Sequence, residues 1–361
     1  MDKNIIILSN EFERSAHMKE YKINLYKDLD EDTIYLPVVF PPPIQCYLPI
    51  SIISNIVTAN MNNLNWIMHN FVQLFKYIDD DKVESFPVQQ FMYANQASIS
   101  CKEMTNETRH IDKINIIEDI IYCIENGHYV VVYLDESLIP GMRFYKRRPI
   151  VHSQFIFGFN RKKKIFKVIN FSNSTDRMEI IDVAFADVKD NFYSKGLRNL
   201  YKKEKNEYVS NKGYQLYAFL YTDNTGVIDA SLNLDVIKEQ IRQYFYSVNS
   251  STYTSFFTGT LAGVWGVNVY AEIEKMLHKE IDMRMICLLH EHKIFMQYRI
   301  NYFDSVLAEE YVSVVNLAKK IKMACLKHII KQKTTVSDDV IEYLRNMKAL
   351  EIHILKELFD K

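Results

Sequence analysis

No charge of one sign dominates this chain: 44 basic side chains stand against 45 acidic ones, for a net charge of −1. A general electrostatic attraction to nucleic acid is therefore not expected. Nor does any apolar run reach the ~18 residues that a membrane-spanning helix needs. The nearest approach, 256–269, is interrupted by threonines, glycines and an asparagine and reads as a packed helix or a loop. Its wider stretch holds three glycines between Gly259 and Tyr270 but lacks a preceding strand and the lysine of a phosphate loop, so nucleotide binding is not supported. The start carries an Ile5-Ile6-Ile7-Leu8 run without a basic leader or a small-residue cleavage site, and no secretory signal is expected. Cysteine is scarce. The five residues Cys46, Cys101, Cys123, Cys287 and Cys325 are odd in number and show no metal-ligand spacing, which fits a reduced, cytoplasmic compartment and gives no metal or cofactor motif.

What the chain does have is length and burial capacity. At 361 residues and 48% hydrophobic side chains it exceeds one ordinary core, and about two domains are expected. Organisation changes near Thr222. Before it the pattern alternates strands and helices: strands at 4–8, 33–40, 129–134, 151–159, 165–170, 177–182 and 214–221, and helices at 47–59, 64–78, 112–126 and 182–192. Gly127 is placed to close the third of those helices. After the turn-rich Asp223-Asn224-Thr225-Gly226 everything reads helical, with apolar residues at three and four spacing across 235–248, 267–279, 282–308, 308–332 and 337–359. The expectation is an α+β domain over 1–224 followed by an all-helical domain over 225–361, the latter being the surface through which copies would associate.

Chemistry concentrates between Tyr129 and Phe171. Tyr129 to Leu134 is β-branched and aromatic throughout, as in a strand buried on both faces, and it ends at Asp135. Two further strands flank the basic turn Asn160-Arg161-Lys162-Lys163-Lys164. In a hairpin closed there, residues whose numbers sum to about 322 to 324 lie opposite one another. His152 then faces a residue between Asn170 and Ser172, with Asn170 the parity match. His152, Gln154, Ile156 and Gly158 share one face of their strand. A histidine oriented by a cross-strand amide is half of a nucleophilic site.

Cys46 supplies the other half of the expectation. Three prolines precede it, and Leu48, Ile52, Ile53 and Ile56 follow at helical spacing, so the thiol would sit at a helix N-terminus that favours a thiolate. In the helical half, His290-Glu291-His292 invites a metal reading, but residues two apart on a helix diverge by about 200°. Trp265, Tyr270, Arg284, Arg299 and Tyr302 offer a substrate groove or, more simply, core packing.

The order Cys46, His152, Asn170 resembles the papain-like cysteine fold. The stretch from Gly127 to about Tyr193 is similar to the papain-like proteins of bacterial natural-product clusters that resemble butirosin biosynthesis protein H, an acyltransferase. The matching residues are Asp135, Ile139-Pro140, Tyr145, His152, Gly158-Phe159-Asn160 and the strand 165–171, together with 66–74. The chain departs from that pattern with Gln45-Cys46 where a His-Cys pair is usual, and with Asn170 where many relatives carry aspartate. The resemblance implies a papain-like first domain and a cysteine-dependent acyl transfer, or a related amide hydrolysis. Cys46 would attack, His152 would move the proton, Asn170 would hold the ring, and Gln45, Asp135, Tyr145 and Gln154 would line the oxyanion and substrate positions. It further implies an acyl carrier protein as donor and a small amine or hydroxyl acceptor; the basic clusters at 145–148, 161–164 and 201–205 read either as solvated loops or as the docking surface of such an acidic carrier. The competing expectation is a non-catalytic scaffold of the same fold in which Cys46 is inert.

Overall fold

The structure is a computed structural model that describes residues 5–8, 23–29, 32–46, 48–61, 64–77, 99–104, 115–175, 177–197, 199, 218–223, 232–249 and 262–360. Strands β1 (Ile5–Leu8), β2 (Ile23–Leu29) and β3 (Thr33–Val39) are followed by helices α1 (Leu48–Met61) and α2 (Asn65–Asn70). Next come β4 (Phe75–Tyr77), β5 (Ile99–Met104), α3 (Ile116–Glu125), β6 (Tyr129–Asp135), β7 (Val151–Asn160), β8 (Ile165–Phe171), β9 (Met178–Ala184), α4 (Phe185–Phe192) and β10 (Ala218–Asp223). The rest is α5 (Leu234–Phe245), β11 (Gly263–Trp265), α6 (Val269–Leu277), α7 (Met283–Asn301), α8 (Ser305–Ile330) and α9 (Asp338–Asp360). The protein is α+β, with an antiparallel sheet followed by a helical region, and among the described residues no helix is long and apolar enough to cross a membrane.

β7 is the hub of the nine-stranded sheet. One edge pairs with β6 over Val151 to Ile156 and then with β3 over Gly158 to Asn160, while the other edge carries β8. The hairpin register runs at a sum of 324 from Phe155↔Ile169, then slips by one at a bulge between Ile156 and Gly158. Gly158 lies inside the strand, as its place in 151–159 implies, and there β3 crosses so closely that a Cβ would stand 2.6 Å from the Ile34 carbonyl oxygen. Only glycine admits that approach.

Alternation along the strands divides the core in two. Val130, Val132, Leu134, Ile156 and Val168 pack with α3 and α4 on one face, where Gly127 at φ +77° and the bonds Gly127 N–H to Ile124 O (3.0 Å) and His128 N–H to Cys123 O (2.8 Å) close α3. Val131, Phe155 and Ile169 face the other way, into a cluster that includes α1, α2 and the apolar sides of α5 to α9. That cluster joins residues from both sides of position 224, so the helical half shares its core with α1 and α2.

The region expected as a helix over 64–78 is a short helix and then a strand. Arg299 of α7 donates to the carbonyls of Ile67 (2.8 Å), Met68 (2.9 Å) and Phe71 (2.7 Å), which stops α2. β4 then pairs with β11, a strand within the half expected to be wholly helical. The tertiary reason is local. A Cβ on Gly263 would lie 1.8 Å from the Phe75 ring, and Trp265 stacks on Phe75 at 4.1 Å between centroids. β2 and β5 are further strands that the hydrophobic pattern left unassigned. The expected joint at 224–226 and the basic cluster 201–205 lie outside the described residues.

Candidate functional site

The site forms where β6 ends and β7 begins. Asp135 turns the chain: its carboxylate accepts from Ser137 N (2.9 Å) and Ile150 N (3.2 Å), and Asn191 of α4 clamps its backbone, accepting from Asp135 N (3.0 Å) and donating to Asp135 O (2.8 Å). This fixes the next residue, Glu136, whose side chain is 1% exposed. Its Oε1 lies 3.0 Å from His152 Nδ1 and accepts from Asn170 Nδ2 at 3.1 Å. His152 is 43% exposed, so one edge of the imidazole is tied to a buried carboxylate while the ring reaches solvent.

Asn170, Gln154, Asp135 and Tyr145, also predicted from the sequence, belong to this end of the sheet in altered roles. The β7–β8 ladder ends at Phe155↔Ile169, because Phe171 O is taken by Arg143 N–H (2.9 Å) and Ser172 bridges to Met142. Amides fill the splay. Asn170 Nδ2 donates to Gln154 Oε1 (2.6 Å) and Ser153 O (3.3 Å), Asn170 Oδ1 accepts from Phe171 N (2.7 Å), and Gln154 Nε2 donates to His152 O (3.2 Å). Asn170 therefore holds Glu136 rather than the imidazole, and Gln154 is buried behind it. Asp135 caps a turn, and the charge beside His152 comes from its neighbour. Tyr145 carries Lys146 Nζ over its ring at 5.1 Å, and Phe144 is the aromatic that flanks His152, at 5.7 Å between centroids. Arg143 and Arg148 also lie over the Phe144 ring, at 5.6 and 5.0 Å.

Cys46 is elsewhere. It belongs to the cluster on the α1 side of the sheet, whereas His152 shares the parity of Gln154 and Asn170 on the α3 and α4 side. The structure does not bring the two together. The Glu291 carboxylate of α7 accepts from Gln45 N (3.1 and 3.2 Å) and Cys46 N (3.2 Å). Burial, the Glu291 carboxylate and the nearby Cys287 together push the thiol well above its ordinary range, the reverse of what a nucleophile needs. Gln45 itself meets Glu291 through its backbone, and its side chain is exposed.

In the helical half, His290, Glu291 and His292 separate as their spacing requires. Glu291 meets the Gln45–Cys46 backbone and His292 donates from Nε2 to Val72 O at 2.7 Å. Tyr270 and Arg299 are core residues. The Tyr270 hydroxyl joins those of Tyr244 and Tyr311 on Glu351, which also pairs with Lys293 at 2.9 Å; all of these side chains are buried.

Sequence reasoning missed Glu136, Phe144 and Glu291. The signal for Glu136 was present as a second carboxylate directly after the aspartate that ends β6. Comparison with protein families and with curated proteins finds no match to this chain.

Proposed function

We propose that the protein is a papain-like acyl-transfer protein in which His152, held by Glu136, is the general base and the acceptor itself is the nucleophile. The contact between His152 Nδ1 and the buried Glu136 Oε1, at 3.0 Å beneath a half-exposed ring, carries this reading. A carboxylate on one ring nitrogen leaves the other with a lone pair aimed outward, which is the arrangement a base requires. An acceptor hydroxyl or amine would attack the carbonyl of a carrier-bound thioester as His152 takes its proton. Collapse of the tetrahedral adduct breaks the carbon–sulfur bond, and the proton passes to the departing thiolate. Water in place of the acceptor gives hydrolysis. Arg143 and Arg148 around Phe144 suit an anionic donor such as an acyl carrier protein. Cys46 has no step in this scheme.

A second reading keeps the fold without the chemistry. Among the described residues no hydroxyl or thiol is hydrogen-bonded to His152, which also suits a scaffold that binds a partner at this edge. Thiol release from a panel of acyl-pantetheine thioesters with amine and alcohol acceptors separates the readings. His152→Ala is expected to fall by about 10²-fold or more, Glu136→Gln by less, and Cys46→Ser to stay within about twofold of wild type. Loss in Cys46→Ser equal to that in His152→Ala would restore the cysteine mechanism. Thioester binding without release in any protein would leave the scaffold.

A further inference from the structure

The amides behind His152 have a direction. Phe171 N–H can only donate, so Asn170 presents Oδ1 to it and must turn Nδ2 toward Gln154 Oε1 and Glu136 Oε1. Gln154 is oriented in turn, since Nε2 donates to His152 O. Glu136 Oε1 is thus an acceptor from two sides, and the ring nitrogen facing it must be the protonated one. We infer that Asn170 is a positioning residue. By aiming a donor at Glu136 it holds the His152 proton on Nδ1 and leaves Nε2 free, in a node with room for one carboxylate.

This rests on the reading of His152 as the base for its use in catalysis, but the geometry makes its own demand. An acid at position 170 would set two carboxylates about 3 Å apart, where they cannot both ionise. The neutral amide at 170 and the acid at 136 are therefore a matched choice. The titratable groups facing the node are His152 on β7 and Glu179 on β9, which is opposite Asn170 in the ladder and bound to Thr175 Oγ1 at 2.8 Å. The Asp135 carboxylate is turned to Ser137 and Ile150. None of these supplies a second charge to the Glu136 oxygen.

The test combines ring-nitrogen NMR with a two-by-two set of variants. Long-range ¹H–¹⁵N correlation of His152 in the wild type at neutral pH is expected to show the Nδ1–H tautomer, and an Nε2–H tautomer would overturn the inference. Asn170→Asp is expected to lower the melting temperature by about 5 °C or more. Its deficit should widen from pH 5 to pH 8 as the shared proton is lost. Combining it with Glu136→Gln returns the node to one carboxylate, so the double variant should melt above Asn170→Asp. Losses that simply add in the double variant would refute the one-carboxylate node. If Asn170→Asp does not fold, folding of the double variant decides in favour and its failure decides against. Neither readout is turnover, so failure of the acyl-transfer reading leaves both unchanged.

Discussion

Arg299→Met tests whether the sheet and the helical half are one cooperative unit. The guanidinium is buried and makes three hydrogen bonds to the carbonyls of Ile67, Met68 and Phe71, across more than 220 residues of chain. Methionine keeps the apolar stem but strands the Met68 and Phe71 carbonyl oxygens, at roughly 1 to 3 kcal/mol each when no water replaces the donor, while Ile67 O keeps the Phe71 N–H at 2.9 Å. Against this, removal of a buried cation recovers part of its desolvation cost, because Nη1 has no partner and no carboxylate pairs with it among the described residues. The balance is a loss of about 3 kcal/mol, or about 1 M in urea midpoint for a slope near 3 kcal/mol/M. Urea unfolding followed by both circular dichroism and tryptophan fluorescence is the assay. The two tryptophans, Trp66 in α2 and Trp265 in β11, stand on either side of the joint. Wild type should give one coincident transition. A midpoint shift below about 0.3 M, equivalent to less than about 1 kcal/mol, would refute the reasoning, since the three bonds would then be contributing almost nothing.

Two further outcomes follow from buried charge. Glu351 accepts from Lys293 and from the hydroxyls of Tyr244, Tyr270 and Tyr311, so Glu351→Leu strands an ammonium and three phenols. Lys293→Met leaves a carboxylate still served by three donors. Thermal melts should rank Glu351→Leu as the more damaging, with Lys293→Met costing about 3 kcal/mol, and the reverse order would contradict the assignment of the carboxylate as the shared partner. Burial, then Lys322 and Lys319, lower His290 to about 4. Its folded value lies below the unfolded one, so its contribution to stability is present above about pH 6.5 and is lost as pH falls toward 4. His290→Gln should flatten that part of a urea-midpoint against pH profile, and an unchanged slope would show that His290 does not carry it.

The strands around the site were legible because their residues are β-branched or aromatic and their turns are polar. The shared face of His152, Gln154 and Asn170 followed from alternation alone. Alternation does not say which side of the sheet α1 covers, and that fact separates Cys46 from His152. Glu136 was hidden for a different reason: its direction is set by the turn after β6, which depends on Asp135 and on Asn191 from 56 residues away. Gly158 reads as an ordinary strand residue, and its need for glycine shows only once β3 is known to cross it. The start of α1 was also legible near Leu48, but the carboxylate that meets Cys46 N–H arrives from 245 residues further along the chain.

The division of faces decides more than the fate of one cysteine. A general base must lie about 2.6 to 3.2 Å from the proton it removes, and this thiol packs in the cluster on one face of the sheet while this imidazole has the parity of the other face. Side-chain rotation cannot carry Cys46 from one face to the other. Moving the loop before α1 around the sheet would require release of Glu291, whose helix is held in turn by His292 on Val72 O and Arg299 on the end of α2. Those are buried contacts of the shared core, and their loss would be unfolding rather than gating. The α1 side therefore joins the two halves, and the function proposed above rests on the splayed end of β7 and β8 alone. There a half-exposed imidazole stands on a buried acid.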